Sequence, residues 1–269
     1  MNPFTYVRPE TVAQAAQARM QHPDARYLSG GMSLLPMMKQ GLSAPTHLID
    51  LTRIEALHGI EVSGDRLVIG AATSHHDVAH SDLVRRILPT LAATAGVIGD
   101  PQVRNRGTLG GSIAHADPVA DYPAAALALD ALIETQRRRI DASDFFQGLF
   151  TTALEEDEIV VRVHFRQPRG AHYQSFRHPG SGFAMAGVFV ARFDDGVRVA
   201  VTGAADRAFR WADAEQALSA RFEAAAVTGL AVPSDALIDD LHASAAYRAE
   251  LARIMLERAI HAMTDATHD

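Results

Sequence analysis

The chain has 269 residues, about two domains at ~150 residues each, and 48% of them are hydrophobic against 21% charged, the balance of a globular protein with a sizeable core. It contains no cysteine, which excludes a disulfide framework, cysteine-ligated zinc or iron–sulfur clusters, and a thiol nucleophile. A net charge of -7 argues against nucleic acid as the main partner, no apolar run reaches the ~18 residues of a membrane span, and the start MNPFTYVRPE shows no basic-then-apolar leader, so the expected compartment is the cytoplasm.

Short apolar runs alternate with helical patterns, which predicts a mixed α and β protein in three regions without a flexible linker. Residues 1–56 read as strand 4–7, helix 11–21, strand 26–29, helix 34–40 with Pro36 tolerable only in its first turn, and strand 47–51. That order predicts a small parallel sheet with crossover helices. Residues 57–172 open on strands 60–63 and 66–69 around Gly64-Asp65, a two-residue hairpin signal. Helices follow over 88–97 and 118–129, with paired strands over 131–135 and 138–140. A strand over 159–165 alternates apolar and polar residues as a half-buried strand does. Residues 173–269 give strands 186–192 and 197–202 around Asp194-Asp195-Gly196, then helices over 212–222 and 247–263, a sheet with packed helices that fits a separate terminal domain. In the last helix Tyr247, Leu251, Ile254 and Met255 share one face.

Two glycine pairs carry the chemical information. The first stands in Ser29-Gly30-Gly31-Met32-Ser33-Leu34 and the second, 80 residues on, in Thr108-Leu109-Gly110-Gly111-Ser112. Each closes an extended segment and is followed by a hydroxyl residue. Consecutive glycines reach backbone angles that other residues avoid and let several N–H groups converge on phosphate oxygens. A helix N-terminus just downstream adds partial positive charge. Two such turns suit the two phosphates of a dinucleotide, although a Gly-Gly pair is also an ordinary tight turn and the residues alone leave both readings open. Neither turn is G-x-G-x-x-G and no G-x-x-x-x-G-K-S/T occurs, so a nicotinamide Rossmann site or a nucleoside triphosphatase is disfavoured.

The stretch from Gln102 to Pro118, QVRNRGTLGGSIAHADP, closely resembles the FAD-binding medium subunits of molybdenum hydroxylases, the carbon monoxide dehydrogenase and xanthine dehydrogenase family. SGGMSLLPMM from Ser29, DPVAD from Asp117 and YRAELA from Tyr247 extend the resemblance over nearly the whole chain. It implies an α+β architecture: a two-domain FAD-binding fold of the p-cresol methylhydroxylase type in 1–56 and 57–172, then a small α+β C-terminal domain of the carbon monoxide dehydrogenase flavoprotein type in 173–269. It implies a subunit that takes electrons from two 2Fe-2S clusters on a small partner subunit. A large subunit holding the molybdenum cofactor oxidises the substrate, and FAD passes the electrons to a terminal acceptor. The assembly implied is a heterotrimer, further dimerised. Clusters on another chain agree with the absence of cysteine here.

By position, the resemblance assigns the pyrophosphate to Ser29, Gly30, Gly31, Met32, Ser33 and Leu34 and to Thr108, Gly110, Gly111 and Ser112. Asp117 falls on the nucleotide side, Asp121 and Ile159 near the isoalloxazine ring, and Phe183 over one flavin face. No side chain is assigned acid, base or metal-ligand work. Some positions depart from the family: Ser29 for alanine, Met32 for histidine, glutamine or threonine, and Ser112 for asparagine or aspartate. Ser175 and Gly182 replace a lysine and an aspartate, a loss for which Arg177 is the candidate compensation. A self-contained flavin oxidoreductase of the same fold and a redox-inactive nucleotide-binding scaffold are the rival readings. Ser74-His75-His76-Asp77 is read as a helix start with Asp77 in a capping role rather than a metal site, because adjacent imidazoles diverge. His115 is read as a hydrogen-bonded structural histidine, the run Arg137-Arg138-Arg139 as a solvated turn or hairpin edge, and Trp211 as packed or at an interface.

Overall fold

The computed structural model describes residues 1–233 and 237–265. The first region folds as β1 (Thr5–Val7), α1 (Val12–Gln21), β2 (Arg26–Leu28), α2 (Leu34–Lys39) and β3 (His47–Asp50). All pairing is parallel, with β3 between β1 and β2, as strand–helix–strand order dictates. Thr11 caps α1 by accepting the Gln14 amide.

The second region is built on an antiparallel sheet. β4 (Ile60–Ser63) and β5 (Arg66–Gly70) form the expected hairpin, with Gly64 at φ +61°. Five short helices follow: α3 (His75–His80), α4 (Asp82–Ile87), α5 (Pro89–Gly96), α6 (Pro101–Arg104) and α7 (Leu109–His115). Then come α8 (Asp121–Ala128), β6 (Leu132–Thr135), β7 (Arg139–Asp141), α9 (Ala142–Phe145), the small hairpin β8 (Phe146–Gly148) and β9 (Thr151–Thr152), and β10 (Val160–Arg166). The sheet runs β4-β5-β10-β6-β7. Two expectations need correction here. α8 begins at Asp121 and not at 118, because Ala116 turns left-handed at φ +49° and the Asp117 carboxylate accepts the Val119 amide, so 117–120 is a turn. β10 does not alternate simply: its register shifts between Val160 and Arg162, and Val163, His164 and Phe165 are all buried.

The third region is a four-stranded antiparallel sheet, β11 (Gly170–Arg177), β12 (Ala184–Phe193), β13 (Gly196–Thr202) and β14 (Phe209–Arg210), with α10 (Ala212–Ala220) and α11 (Ala245–Asp265). β11 starts at Gly170, inside the stretch assigned to the second region. β12 buries both faces. Val188 and Val190 pack with Trp211, Met255 and Ile260 on the helix side, while Phe189, Ala191 and Phe193 join the core of the second region. On α11 the buried stripe is Arg248, Leu251, Ala252, Met255, Leu256, Ala259 and Ile260. Tyr247 lies outside that stripe and is exposed, one position round from Arg248. Among the described residues no helix is long and apolar enough to cross a membrane.

Candidate functional site

The two glycine turns, far apart in sequence, touch. A Cβ on Gly30 would lie 2.1 Å from the Arg106 carbonyl oxygen and 2.6 Å from Gly107 Cα, so glycine is required at this crossing. Ser29 Oγ and Thr108 Oγ1 share a hydrogen bond of 2.8 Å and tie the turns together. Gly31 alone of the four paired glycines has a left-handed backbone, at φ +73°. The other three occupy ordinary angles, so the reason for them is close approach. A Cβ on Gly110 would meet Ala71 Cβ at 2.4 Å.

The second turn is also the first turn of a helix. Thr108 is the N-cap of α7, and its hydroxyl accepts the Gly111 amide at 3.2 Å. The Leu109 amide donates to Thr73 O and the Gly110 amide to Ala71 O, which docks α7 on the end of β5. The first turn is different. Among the described residues, the amides of Gly30, Gly31, Met32, Ser33 and Leu34 have no acceptor within the chain, and neither does the amide of Thr108, whose side chain is tied to Ser29. Ser33 stands at the N-cap of α2 without capping it, which leaves its hydroxyl unclaimed as well. A run of backbone donors, part of it in a left-handed turn, asks for an external acceptor, and an anion meets that need. Met32 and Ser33 are exposed, Leu34 half-buried, and Ser112 one turn further along α7 is half-buried.

The other assigned residues fall on two flanks. Asp117 and Asp121 bracket the turn after α7. Asp121 is only 5% exposed; its Oδ1 accepts from the Tyr173 hydroxyl at 2.5 Å and from Arg177 Nη2 at 2.7 Å. Burial pushes the Asp121 carboxyl up, against the opposing pull of Arg177 and Tyr173. Arg177 also donates to Gly182 O at 2.8 Å, so its guanidinium bridges Asp121 and the Gly182 carbonyl. Phe183, on the connection from β11 to β12, is 53% exposed. Ile159 is core: it packs with Ile49, Leu51, Ile54 and Ala72 where the first two regions meet, and its amide donates to Gln136 Oε1.

Sequence reasoning missed His75 and Tyr122 as neighbours of the site. The His75 ring lies under Gly107, where an added Cβ would stand 2.6 Å from Nε2, and 5.3 Å from the Tyr122 ring. Burial, with the Arg104 charge, pushes His75 down to about 4, so it is neutral near pH 7. Its Nδ1 and the Tyr122 hydroxyl are both buried without a partner among the described residues. The two adjacent histidines diverge: His75 turns inward, while His76 stacks on His80 at 4.1 Å. Ser74 caps α3 and also donates to the Asp77 carboxylate. A run with the pattern S-H-H-D therefore carries a helix start and one inward imidazole, and only the first of these is readable from spacing.

Crossed glycine turns with unclaimed amides, set between a parallel and an antiparallel sheet, define a dinucleotide-binding protein. Residues 2–168 match the family model described as FAD binding domain in molybdopterin dehydrogenase. The carbon monoxide dehydrogenase medium chain of Hydrogenophaga pseudoflava is 38% identical, over 96% of each chain. The nicotine 6-hydroxylase medium subunit of Paenarthrobacter nicotinovorans is 36% identical, over 95% of each. A solved carbon monoxide dehydrogenase from Hydrogenophaga pseudoflava superimposes with a TM-score of 0.86 at 36% identity, covering 97% of this chain and 98% of that one. The chain belongs to the FAD-binding subunits of the molybdopterin dehydrogenases, the molybdenum hydroxylase family, as an oxidoreductase component whose cofactor is FAD.

Proposed function

We propose that this chain is the electron-transfer subunit of a molybdenum hydroxylase. It takes electrons from 2Fe-2S clusters on a small partner subunit, which receives them from a large subunit holding the molybdenum cofactor, and delivers them through FAD to a terminal acceptor. The three subunits form a heterotrimer that pairs into a dimer, in the cytoplasm. The names of the relatives, medium chain and medium subunit, support a multi-subunit assembly, and the absence of cysteine requires that cysteine-ligated clusters sit on another chain.

The observation that carries the reading is the row of unclaimed amides from Gly30 to Leu34, joined to Thr108 through Ser29. These donors, with the Ser33, Thr108 and Ser112 hydroxyls, would hold the pyrophosphate. Ser29 orients Thr108, while Gly110 and Gly111 let α7 approach. Asp117 takes the nucleotide side. Asp121, held by Arg177 and Tyr173, Ile159 and the exposed Phe183 are assigned to the isoalloxazine end. Residues 1–56 and 57–172 form the two FAD-binding parts and 173–269 the C-terminal domain, its first strand begun at Gly170. Bound FAD supplies exchange between one-electron and two-electron carriers, while the protein contributes binding, orientation and charge.

The test is a visible spectrum of the purified chain, chromatography of the cofactor released on denaturation, and mixing with the reduced iron–sulfur subunit. Expected are one FAD per chain and bleaching of its visible band on mixing. Bound FAD that stays oxidised in the assembled complex, while the clusters remain reduced, would remove the electron-transfer role.

A further inference from the structure

The turn that follows α7 is held from outside, by the third region. Thr202, the last residue of β13, is fully buried, and its hydroxyl lies 2.9 Å from Pro118 O and 2.7 Å from Ala120 O. The next amide, Gly203 N–H, donates to Pro118 O at 2.8 Å. Gly203 takes φ +80°, and an added Cβ would stand 2.3 Å from Ala184 O, so this corner is tightly specified. Arg248 closes it from behind: buried on α11, it donates to Gly203 O at 2.9 Å and to Met185 O at 3.1 Å.

These contacts act on the FAD cradle through α7. That helix has seven residues, a rod of ~10 Å. Its N-terminal end is the second glycine turn, fixed by the Leu109 and Gly110 amides on Thr73 and Ala71. Its C-terminal end passes through the left-handed Ala116 directly into 117–120. A rod held at one end can pivot; held at both it cannot. We propose that Thr202 is a positioning residue for the FAD site: the third region, through the Thr202 hydroxyl and the Gly203 amide, clamps the turn after α7 and so fixes the glycine turn at the helix's other end. This rests on the reading of the crossed turns as the FAD cradle.

The Thr202 hydroxyl proton is shared between Pro118 O and Ala120 O, and among the described residues no other side chain donates to either carbonyl. Removing it leaves the part-buried Ala120 O without this donor and facing a methyl group, a cost that the turn escapes by shifting. Valine keeps the shape of threonine without the donor, and serine keeps the donor. The experiment uses the full chain, stripped of cofactor, with FAD titrated by its fluorescence. Circular dichroism and the thermal midpoint are recorded for each apo-chain. Thr202→Val is expected to bind FAD about tenfold more weakly, with altered fine structure in the visible flavin band, and Thr202→Ser to bind as the parent does. Should the valine chain not fold, Thr202→Ala carries the same expectation. A lower thermal midpoint with unchanged FAD affinity and spectrum would mean that Thr202 merely supports the fold, and would overturn the proposal. A parent chain that binds no FAD at all would instead overturn the reading of the cradle, and the clamp with it.

Discussion

One methyl group at Gly30 is enough to test whether the crossing of the two turns makes the site. The Arg106 carbonyl is backbone and cannot swing aside, so Gly30→Ala must push the turns apart. The expected outcome is a chain that keeps its circular dichroism and loses most of its FAD; full FAD content in the purified variant would refute the crossing as the binding element. Two other single residues contribute to the acid limit of the fold. His75 is held down to about 4 by burial and the Arg104 charge. The unfolded chain therefore takes up a proton near pH 6.5 that the folded chain refuses, and stability falls as pH drops from about 6.5 to 4. Glu158 is held down to about 2, first by its bond from Arg138, with the Glu155 amide and Thr135 hydroxyl adding to it. A depressed carboxyl contributes stability above its unfolded value of 4.5, and loses it as pH falls from there toward 2. Urea titrations at stepped pH should show both windows. His75→Gln should flatten the upper one, and Glu158→Gln should shrink the lower one, to which Asp240, also held down to about 2, contributes as well.

At the scale of elements, α7 shows where a sequence pattern gives way to a local contact. Two adjacent glycines cost ~1 kcal/mol each in a helix, and the pattern of Thr108 to Ser112 reads as an extended segment ending in a turn. The Thr108 hydroxyl on the Gly111 amide and the docking on Ala71 and Thr73 start the helix nonetheless. Thr108→Val removes the cap and the link to Ser29 together, whereas Ser29→Ala removes only the link. The valine chain should lose about 1 kcal/mol from the cap, a thermal midpoint lower by ~2–4 °C; the alanine chain should keep its midpoint, and both should bind FAD more weakly. Equal midpoints in the two variants would show that the cap does not hold the helix. Elements with strong local signals were legible in the sequence: the parallel sheet of the first region, the Gly64-Asp65 hairpin and the long α11. β11 was not, because Ala171, His172, Tyr173, Gln174 and Ser175 form a half-buried edge strand with no clean period. The site was legible as residue types around two turns. Their contact was not, because the Gly30–Arg106 approach and the Asp121–Arg177 pair are tertiary events between segments more than fifty residues apart.

For the whole molecule, the question is whether the third region folds as a unit of its own. Its sheet carries two apolar faces. The one bearing Phe189, Ala191, Phe193 and Ala200 is covered by the second region, so separation would open it to water. The seam is also charged. Asp130 of the second region accepts from Arg198 and Arg210 of the third and from Arg166 of β10, at 3.1–3.2 Å. The Arg166 guanidinium lies 4.3 Å from the centre of the Phe193 ring. Arg166 and Arg198 also pair with Asp195, and Arg210 with Glu215, so Asp130→Asn removes the shared central carboxylate of a charge network and should loosen the seam, although each pair is partly exposed and individually weak. The intact chain should melt in a single calorimetric transition, and Asp130→Asn should lower that transition or split it, most strongly at low salt. Two resolved transitions in the unsubstituted chain would show that the second and third regions unfold independently. The burial of Phe189 and Phe193 would then be too weak a bond between regions for the grip of Thr202 on the 117–120 turn to reach the glycine turns.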